Sequence, residues 1–212
     1  MIVSRYGVKL IKLQQEHVEL LRTWRNAEKI SRFMEFRDHI TPQMQQRWFE
    51  GLSNEADFYF MIEYRGSLVG MIHASGIDWK QGRGDAGLFI YEDRYLSTYT
   101  PVLASLCMVD LFFGVFTLER LYAKVMRNNP VAEAYNSNLG FKPIPTQEEH
   151  DFQMFELTRE NYFAATESLR KKAIAVEGNH FTLQLSNGGK QLLNKLGALR
   201  PVAEFEITLE HV

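Results

Sequence analysis

The segment Phe89 to Leu103 joins the C-terminal end of an apolar strand to the start of a buried helix, and its residues are Tyr95-Leu96-Ser97-Thr98-Tyr99-Thr100-Pro101 at the centre. Such a junction presents backbone N–H groups with no helical partner and the positive end of a helix dipole. It is a generic anion site, suited to phosphate or pyrophosphate. Every parallel crossover makes one, so the junction alone names no ligand. Other chemistries have less support. The chain has no His-x-x-x-His, no paired cysteines and no Gly-x-Ser-x-Gly, which argues against zinc and serine hydrolases. Its one cysteine, Cys107, lies in the apolar run Leu106-Cys107-Met108-Val109 with no basic neighbour to activate it. A lone core thiol fits a reducing compartment.

The bulk composition narrows the partners. The chain has 212 residues, 45% hydrophobic and 24% charged, the balance of an ordinary globular protein. Lys plus Arg number 24 against 26 Asp plus Glu, a net charge of -2. No bulk basic field recruits nucleic acid or an anionic membrane, so an anionic ligand must be held by local geometry. The aromatic residues fall at core periods rather than as a base-stacking platform. No stretch approaches the roughly 18 apolar residues of a membrane span, and the N-terminus Met1 to Arg5 has no long apolar run. These features predict a cytoplasmic protein with no nucleic-acid or membrane partner.

The elements that must position the junction follow from periodicity. Lys9 to Ile11 reads as an opening strand. Glu16 to Asn26 reads as a helix with Val18, Leu20, Leu21 and Trp24 on its apolar side. Thr41-Pro42 supplies an N-cap and a first-turn proline for a second helix, with Met44, Trp48, Phe49 and Leu52 on its apolar face. Phe58 to Ile62 and Leu68 to Ile72 flank Arg65-Gly66 as a hairpin, and Gly82-Arg83-Gly84 leads into a strand over Ala86 to Tyr91.

From there the pattern changes to a crossover. Pro101 opens a helix to about Phe116 that is apolar nearly all round and therefore buried. Asp110, inside it, reads as a satisfied buried hydrogen-bonder. Leu121 to Val125 alternates as a strand, so strand, helix and strand imply a right-handed parallel crossover. Asn129-Pro130 opens a short helix that stops at Leu139-Gly140-Phe141, and Phe152 to Leu157 is a further strand. Beyond Thr158 come a charged amphipathic helix over Glu160 to Val176 and two alternating strands, Phe181 to Leu185 and Phe205 to Leu209. Gly188-Gly189 and a helical segment near Leu192 to Leu196 separate them. This tail extends the main sheet, forms a small subdomain or mediates a dimer; the sequence leaves all three open.

The run Leu118 to Val125, then Asn128-Asn129-Pro130-Val131-Ala132 and Leu139-Gly140-Phe141, resembles the second half of the GCN5-related N-acetyltransferase (GNAT) superfamily. Trp24-Arg25-Asn26, Ile40-Thr41 and Trp48-Phe49 resemble its branch of ribosomal-protein and amino-sugar N-acetyltransferases. The resemblance covers 1–157, leaving 158–212 as a C-terminal extension. It implies an α/β (α+β) fold, a mixed twisted sheet with splayed central strands flanked by helices. It also implies acetyl-CoA as acyl donor, with its pantetheine arm in the splay, and an amine acceptor: a small molecule, an amino sugar or a protein N-terminus. The acceptor nitrogen would attack directly in a ternary complex. A homodimer through the extension is a further expectation.

Residue by residue, the resemblance places pantetheine along Leu88, Phe89, Ile90 and Tyr91 and pyrophosphate on Leu96, Ser97, Thr98, Tyr99, Thr100 and Pro101. Asn129 and Asn136 fall on the far side of the cofactor. Two features depart from the family. The pyrophosphate loop usually begins with Arg or Gln and has two glycines; here it has none. Ser97, Thr98 and Thr100 offer hydroxyls instead, and Arg94 or Arg127 add charge. The family's frequent Tyr acid in the short helix is replaced by Asn136, which cannot donate a proton in the acid sense. Tyr135 is adjacent but turned about 100° away. The proton of the acceptor ammonium needs a base, for which His73 and Asp85 are the leading residues and Asp78 and Glu92 the others. The glycine-free loop and Asn136 also leave open an acyl-CoA-binding module with weak or no transfer activity.

Overall fold

The computed structural model describes residues 1–116, 118–146 and 149–185, together with the backbone of 206–211. Among the described residues ten strands form one open sheet. They are β1 (Ile2–Arg5), β2 (Val8–Lys12), β3 (Phe58–Tyr64), β4 (Ser67–Asp78), β5 (Arg83–Ile90), β6 (Arg120–Met126), β7 (Lys142–Pro143), β8 (Phe152–Thr158), β9 (His180–Leu185) and β10 (Glu206–His211). Their order across the sheet is β10-β9-β1-β2-β3-β4-β5-β6-β8-β7. Among the described residues six α-helices accompany them: α1 (Val18–Asn26), α2 (Glu28–Ser31), α3 (Pro42–Glu50), α4 (Thr100–Val109), α5 (Pro130–Asn138) and α6 (Arg159–Glu177). A wider π-type turn, Asp110–Val115, continues α4.

The first five strands form an antiparallel meander in which each hairpin turn has a local cause. Tyr6-Gly7 and Arg65-Gly66 all take positive φ, the conformation whose twist matches right-handed strands. α4 then carries the chain across to β6, which lies parallel to β5. This is the crossover that the strand, helix, strand pattern predicts. Nearly every side chain of α4 and its π-type continuation is buried, from Ala104 to Phe116, because this helix fills one face of the sheet. The other face is a smaller core of Leu13, Leu21, Trp24, Ile30, Met61, Met71 and Phe89, closed by α1 to α3.

Several elements differ from the sequence reading. β1 precedes the expected opening strand, and the short α2 follows α1; neither has enough length to show a periodicity. Leu20 and Met44, placed on apolar helix faces by spacing, are exposed, because Leu21, Trp24 and Trp48 suffice to seat these short helices. The residues after Thr158 continue the main sheet: β9 pairs with β1 from Ile2↔Gln184 to Ser4↔Thr182, and β10 runs parallel to β9. The expected Gly188-Gly189 turn and the helix near Leu192 to Leu196 lie outside the described residues.

One buried polar joint fastens this extension to the core. Asp110 is fully buried and meets Arg5 at 3.0 Å and Arg170 of α6 at 3.4 Å, while the hydroxyls of Tyr6 and Tyr162 donate to it at 2.7 and 2.8 Å. Two guanidinium groups and two phenols match a carboxylate's acceptor capacity, which offsets its desolvation. The sequence reading of Asp110 as a satisfied buried group holds.

Candidate functional site

The sheet opens where β5 and β6 part. Their pairing runs from Arg83↔Arg120 to Ala86↔Ala123 and stops, although both strands continue. Beyond it β6 keeps β8 as a partner to Met126↔Phe152, and β5 keeps β4 to Gly70↔Ile90. Gly87 to Ile90 therefore has a free edge on the β6 side. The Phe89 carbonyl is turned toward β4, where it lies so close to Gly70 that no β-carbon fits there. By strand alternation Leu88 and Ile90 turn their amide and carbonyl groups to the open side. The end of β5 is pinned: the amides of Tyr91 and Glu92 both donate to the Val69 carbonyl, at 2.8 and 3.2 Å. Lys29 donates to the Tyr91 carbonyl at 2.6 Å and pairs with Asp93 at 3.0 Å, and Trp24 stacks on the Tyr91 ring.

The loop that follows reaches the N-terminus of α4. Its two threonine hydroxyls are spent internally, while the exposed Ser97 is not: the Thr98 hydroxyl donates to the Tyr95 carbonyl and accepts from the Thr100 amide, and the Thr98 and Thr100 oxygens lie 3.0 Å apart. Thr100 is buried, whereas Leu96 and Tyr99 project into solvent. The amides of Ser97, Tyr99 and Val102 have no hydrogen-bond partner within the described residues. Three open N–H groups at a helix start suit a diphosphate. A free strand edge and open amides at a helix start have the hydrogen-bonding pattern that the extended arm and diphosphate of a CoA thioester require. The fit needs no glycine in the loop.

On the α1 side of the sheet, His73, Gly87 and Asp85 share one face at the mouth of the opening, since His73↔Gly87 and Ser75↔Asp85 are cross-strand partners. The His73 ring stacks on Tyr59, its Nδ1 lies 3.1 Å from the Ser75 hydroxyl, and its Nε2 sits directly over Gly87. Burial, helped by the charge of Arg25, pulls the imidazole down to about 4. It is neutral at pH 7 and a weak base. Asp85 moves the other way: partial desolvation raises its carboxyl against the pull of Lys124 and Arg83. It stands at the exposed rim opposite Tyr122 of β6. Two neighbouring titratable groups thus diverge, and the carboxylate is the one moved toward working pH.

The other sequence-selected residues are bound elsewhere. The Tyr135 hydroxyl lies 2.7 Å from the Ser105 hydroxyl and donates to the Pro101 carbonyl at 2.8 Å, so it ties α5 to α4, and burial holds its phenol protonated. The Asn136 amide donates to the Ala132 carbonyl, and the Asn129 side chain accepts from the Ala132 amide as the cap of α5. Asp78 caps its turn through the Lys80 and Gln81 amides. The open amides of Ser97, Tyr99 and Val102 and the clasp of Lys29 leave no mark in composition or spacing, because backbone donors and a single long-range contact have no periodicity.

A depression lined by Glu35, Lys124, His150, Asp151, Phe152 and Met154 lies on the Asp85 side of β6 and β8. Glu35 bridges to Lys124 at 2.8 Å, while Arg37 contacts the Met126 sulfur and the Phe152 ring. These contacts lay the 33–37 loop over that face. Among the described residues there is no metal-binding cluster, and no helix is long and apolar enough to cross a membrane.

The model of an acetyltransferase (GNAT) domain matches residues 10–155. Among solved structures, a spermidine N-acetyltransferase from Vibrio cholerae in complex with CoA and spermine is 16% identical, with a TM-score of 0.66 over 74% of this chain and 98% of that one. An apo nucleotide-linked sugar GNAT is 15% identical, with a TM-score of 0.67 over 81% of this chain and 97% of that one. A ribosomal-protein α-N-acetyltransferase in complex with coenzyme A is 13% identical, with a TM-score of 0.65 over 74% and 98%. At these identities the likeness is one of fold. No curated protein sequence matches the chain.

Proposed function

The chain belongs to the GNAT acetyltransferase family, and from that premise we propose that it transfers the acetyl group of acetyl-CoA to a primary amine by direct attack in a ternary complex. The observation that carries this reading is the parting of β5 from β6 after Ala86, which leaves Gly87 to Ile90 as a strand edge for an extended ligand. Bound acetyl-CoA would supply an activated thioester: the acceptor nitrogen takes the acetyl group, the C–S bond breaks, and the second proton that this nitrogen loses goes to the sulfur, so that CoA leaves as the thiol. The chain's part is to bind, align and move a proton. Leu88 and Ile90 hold the arm by backbone hydrogen bonds, and the amides of Ser97, Tyr99 and Val102 hold the diphosphate. Asp85 takes the proton that the acceptor ammonium must shed before its nitrogen can attack. Neutral His73 orders the rim through Ser75 and Tyr59.

A second reading, an acyl-CoA-binding module with weak or no transfer, is favoured by one observation: Tyr135 and Asn136 are both engaged within the protein, so neither is free to protonate a leaving thiolate. Thermal-shift titration with acetyl-CoA followed by thiol release over an amine panel separates the readings. Stabilisation with turnover supports transfer, stabilisation without turnover on any amine supports the module, and no stabilisation by acetyl-CoA or CoA rejects both. The acceptor is an amino sugar, another small amine or a protein N-terminus.

A further inference from the structure

Arg25 lies on the stripe of α1 that faces the sheet. Val18 and Leu21, about two turns and one turn before it, are buried there, so the helical repeat calls for an apolar side chain at its place. Its guanidinium is instead half-buried, and Nε is closed off from solvent with no hydrogen-bond partner among the described residues. Burial lowers its affinity for its proton, opposed among the described residues by the Tyr59 phenol, which is uncharged at neutral pH. Asp57, the carboxylate whose field reaches His73 and Tyr59, has both oxygens taken by the amides of Ser53 and Gly76, at 2.9 and 3.0 Å. Among the described cations over this side of the sheet, Lys124 pairs with Glu35 and Lys29 with Asp93, while Arg37 rests on the Met126 sulfur and the Phe152 ring.

A cation in half-dry surroundings is costly unless an opposite charge meets it. Arg25 acts on His73, whose Nε2 covers Gly87, the first residue of β5 past the pairing with β6. The unmatched charge therefore overlooks the mouth of the splay from the α1 side, opposite the face that α4 fills. We propose that Arg25 anchors the acceptor, and that the acceptor is a small amine bearing a phosphate or carboxylate. The inference rests on the acetyl-transfer reading and gives its acceptor a charge class. A guanidinium grips either oxyanion through two parallel N–H bonds, which fixes the amine's orientation as well as its presence. The same charge disfavours a polycation. The helix-on-sheet position, rather than an open surface, suits a small molecule.

The test is isothermal titration of the full chain and its Arg25→Gln and Arg25→Lys variants, with and without CoA. The probes are glucosamine 6-phosphate for the phosphate source, aspartate for the carboxylate source, and glucosamine and spermine as amines without an anion. CoA is titrated separately. The expected result is that glucosamine 6-phosphate or aspartate binds the unaltered chain more tightly than glucosamine or spermine does. That binding weakens at least tenfold in Arg25→Gln, recovers in part in Arg25→Lys and falls with rising salt, while CoA affinity is the same in all three proteins. Which of the two anions binds assigns the source. Equal binding of the anionic amine to the unaltered chain and Arg25→Gln, tighter binding of spermine or glucosamine, or no binding of either anionic amine overturns the proposal. Should Arg25→Gln lose its circular dichroism signature, Arg25→Lys and the salt dependence decide. Absence of CoA binding rejects the transfer reading by itself, because the titrations without CoA still report on Arg25.

Discussion

The Nε2 atom of His73 rests on the α-carbon of Gly87, its cross-strand partner, so closely that a β-carbon at residue 87 would collide with the imidazole. Gly87 is thus the socket of a ring otherwise held by Tyr59 and Ser75. Gly87→Ala should cost about 1–3 kcal/mol, as overpacking does in a well-filled site, and should move the ring from the rim. Urea unfolding measures the first effect and the His73 imidazole NMR shifts the second. An unchanged ring signal would contradict this geometry.

The same ring makes stability depend on pH. Its folded value of about 4 lies below the ordinary 6.5, so between those values the unfolded chain binds the extra proton. The stabilisation is complete above about pH 6.5 and is lost as pH falls toward 4, by a few kcal/mol in all. Unfolding midpoints measured across that interval should drop more steeply for the unaltered protein than for His73→Gln.

If Asp85 accepts the ammonium proton, its raised carboxyl sets the acid side of the pH profile. kcat/KM should decline as pH falls through a value above that of an ordinary aspartate. Asp85→Asn should lower kcat by about 10²- to 10⁴-fold and abolish that decline, whereas His73→Gln should retain it. A profile of Asp85→Asn with the same acid limb would remove Asp85 from the role.

Tyr135 ties two helices together through Ser105 and Pro101. Tyr135→Phe should lower stability by about 1–2 kcal/mol, the worth of two modest hydrogen bonds, and leave kcat nearly unchanged. A hundredfold loss of kcat at normal stability would instead identify this hydroxyl as the acid.

Asp110 joins β1, the π-type turn and α6 through Arg5, Arg170, Tyr6 and Tyr162. Asp110→Asn keeps the shape and removes the charge facing two guanidinium groups. A loss of about 3–5 kcal/mol is expected, with α6 the first element to lose hydrogen-exchange protection. Uniform loss across the sheet would show that the joint does not act on the extension alone.

Much of the fold was legible in the residues. The change from an antiparallel meander to a crossover is written in the all-apolar stretch from Pro101 to Phe116, flanked by alternating strands. Such a helix has no stable place except against a sheet, and parallel strands need a crossover. Asn129-Pro130 and Gly140-Phe141 mark the ends of α5 because a cap and a left-handed stop are local demands of the backbone. The same locality made the family resemblance readable, since its motifs are short runs.

The site itself was decided in three dimensions. Spacing put Tyr135 beside Asn136 but could not show that its hydroxyl is held between Ser105 and Pro101. It named His73 and Asp85 together as bases, and only burial with the nearby charge of Arg25 set the imidazole down, while partial desolvation set the carboxyl up. It placed Arg25 next to the last residue of a helix, and the want of a carboxylate partner among the described residues emerged only when the neighbouring elements were in place. Propensity and pattern are properties of a few consecutive residues, so they determine elements and their order. Desolvation and charge pairing sum over the whole surroundings of a group, so they exist only once distant segments have packed.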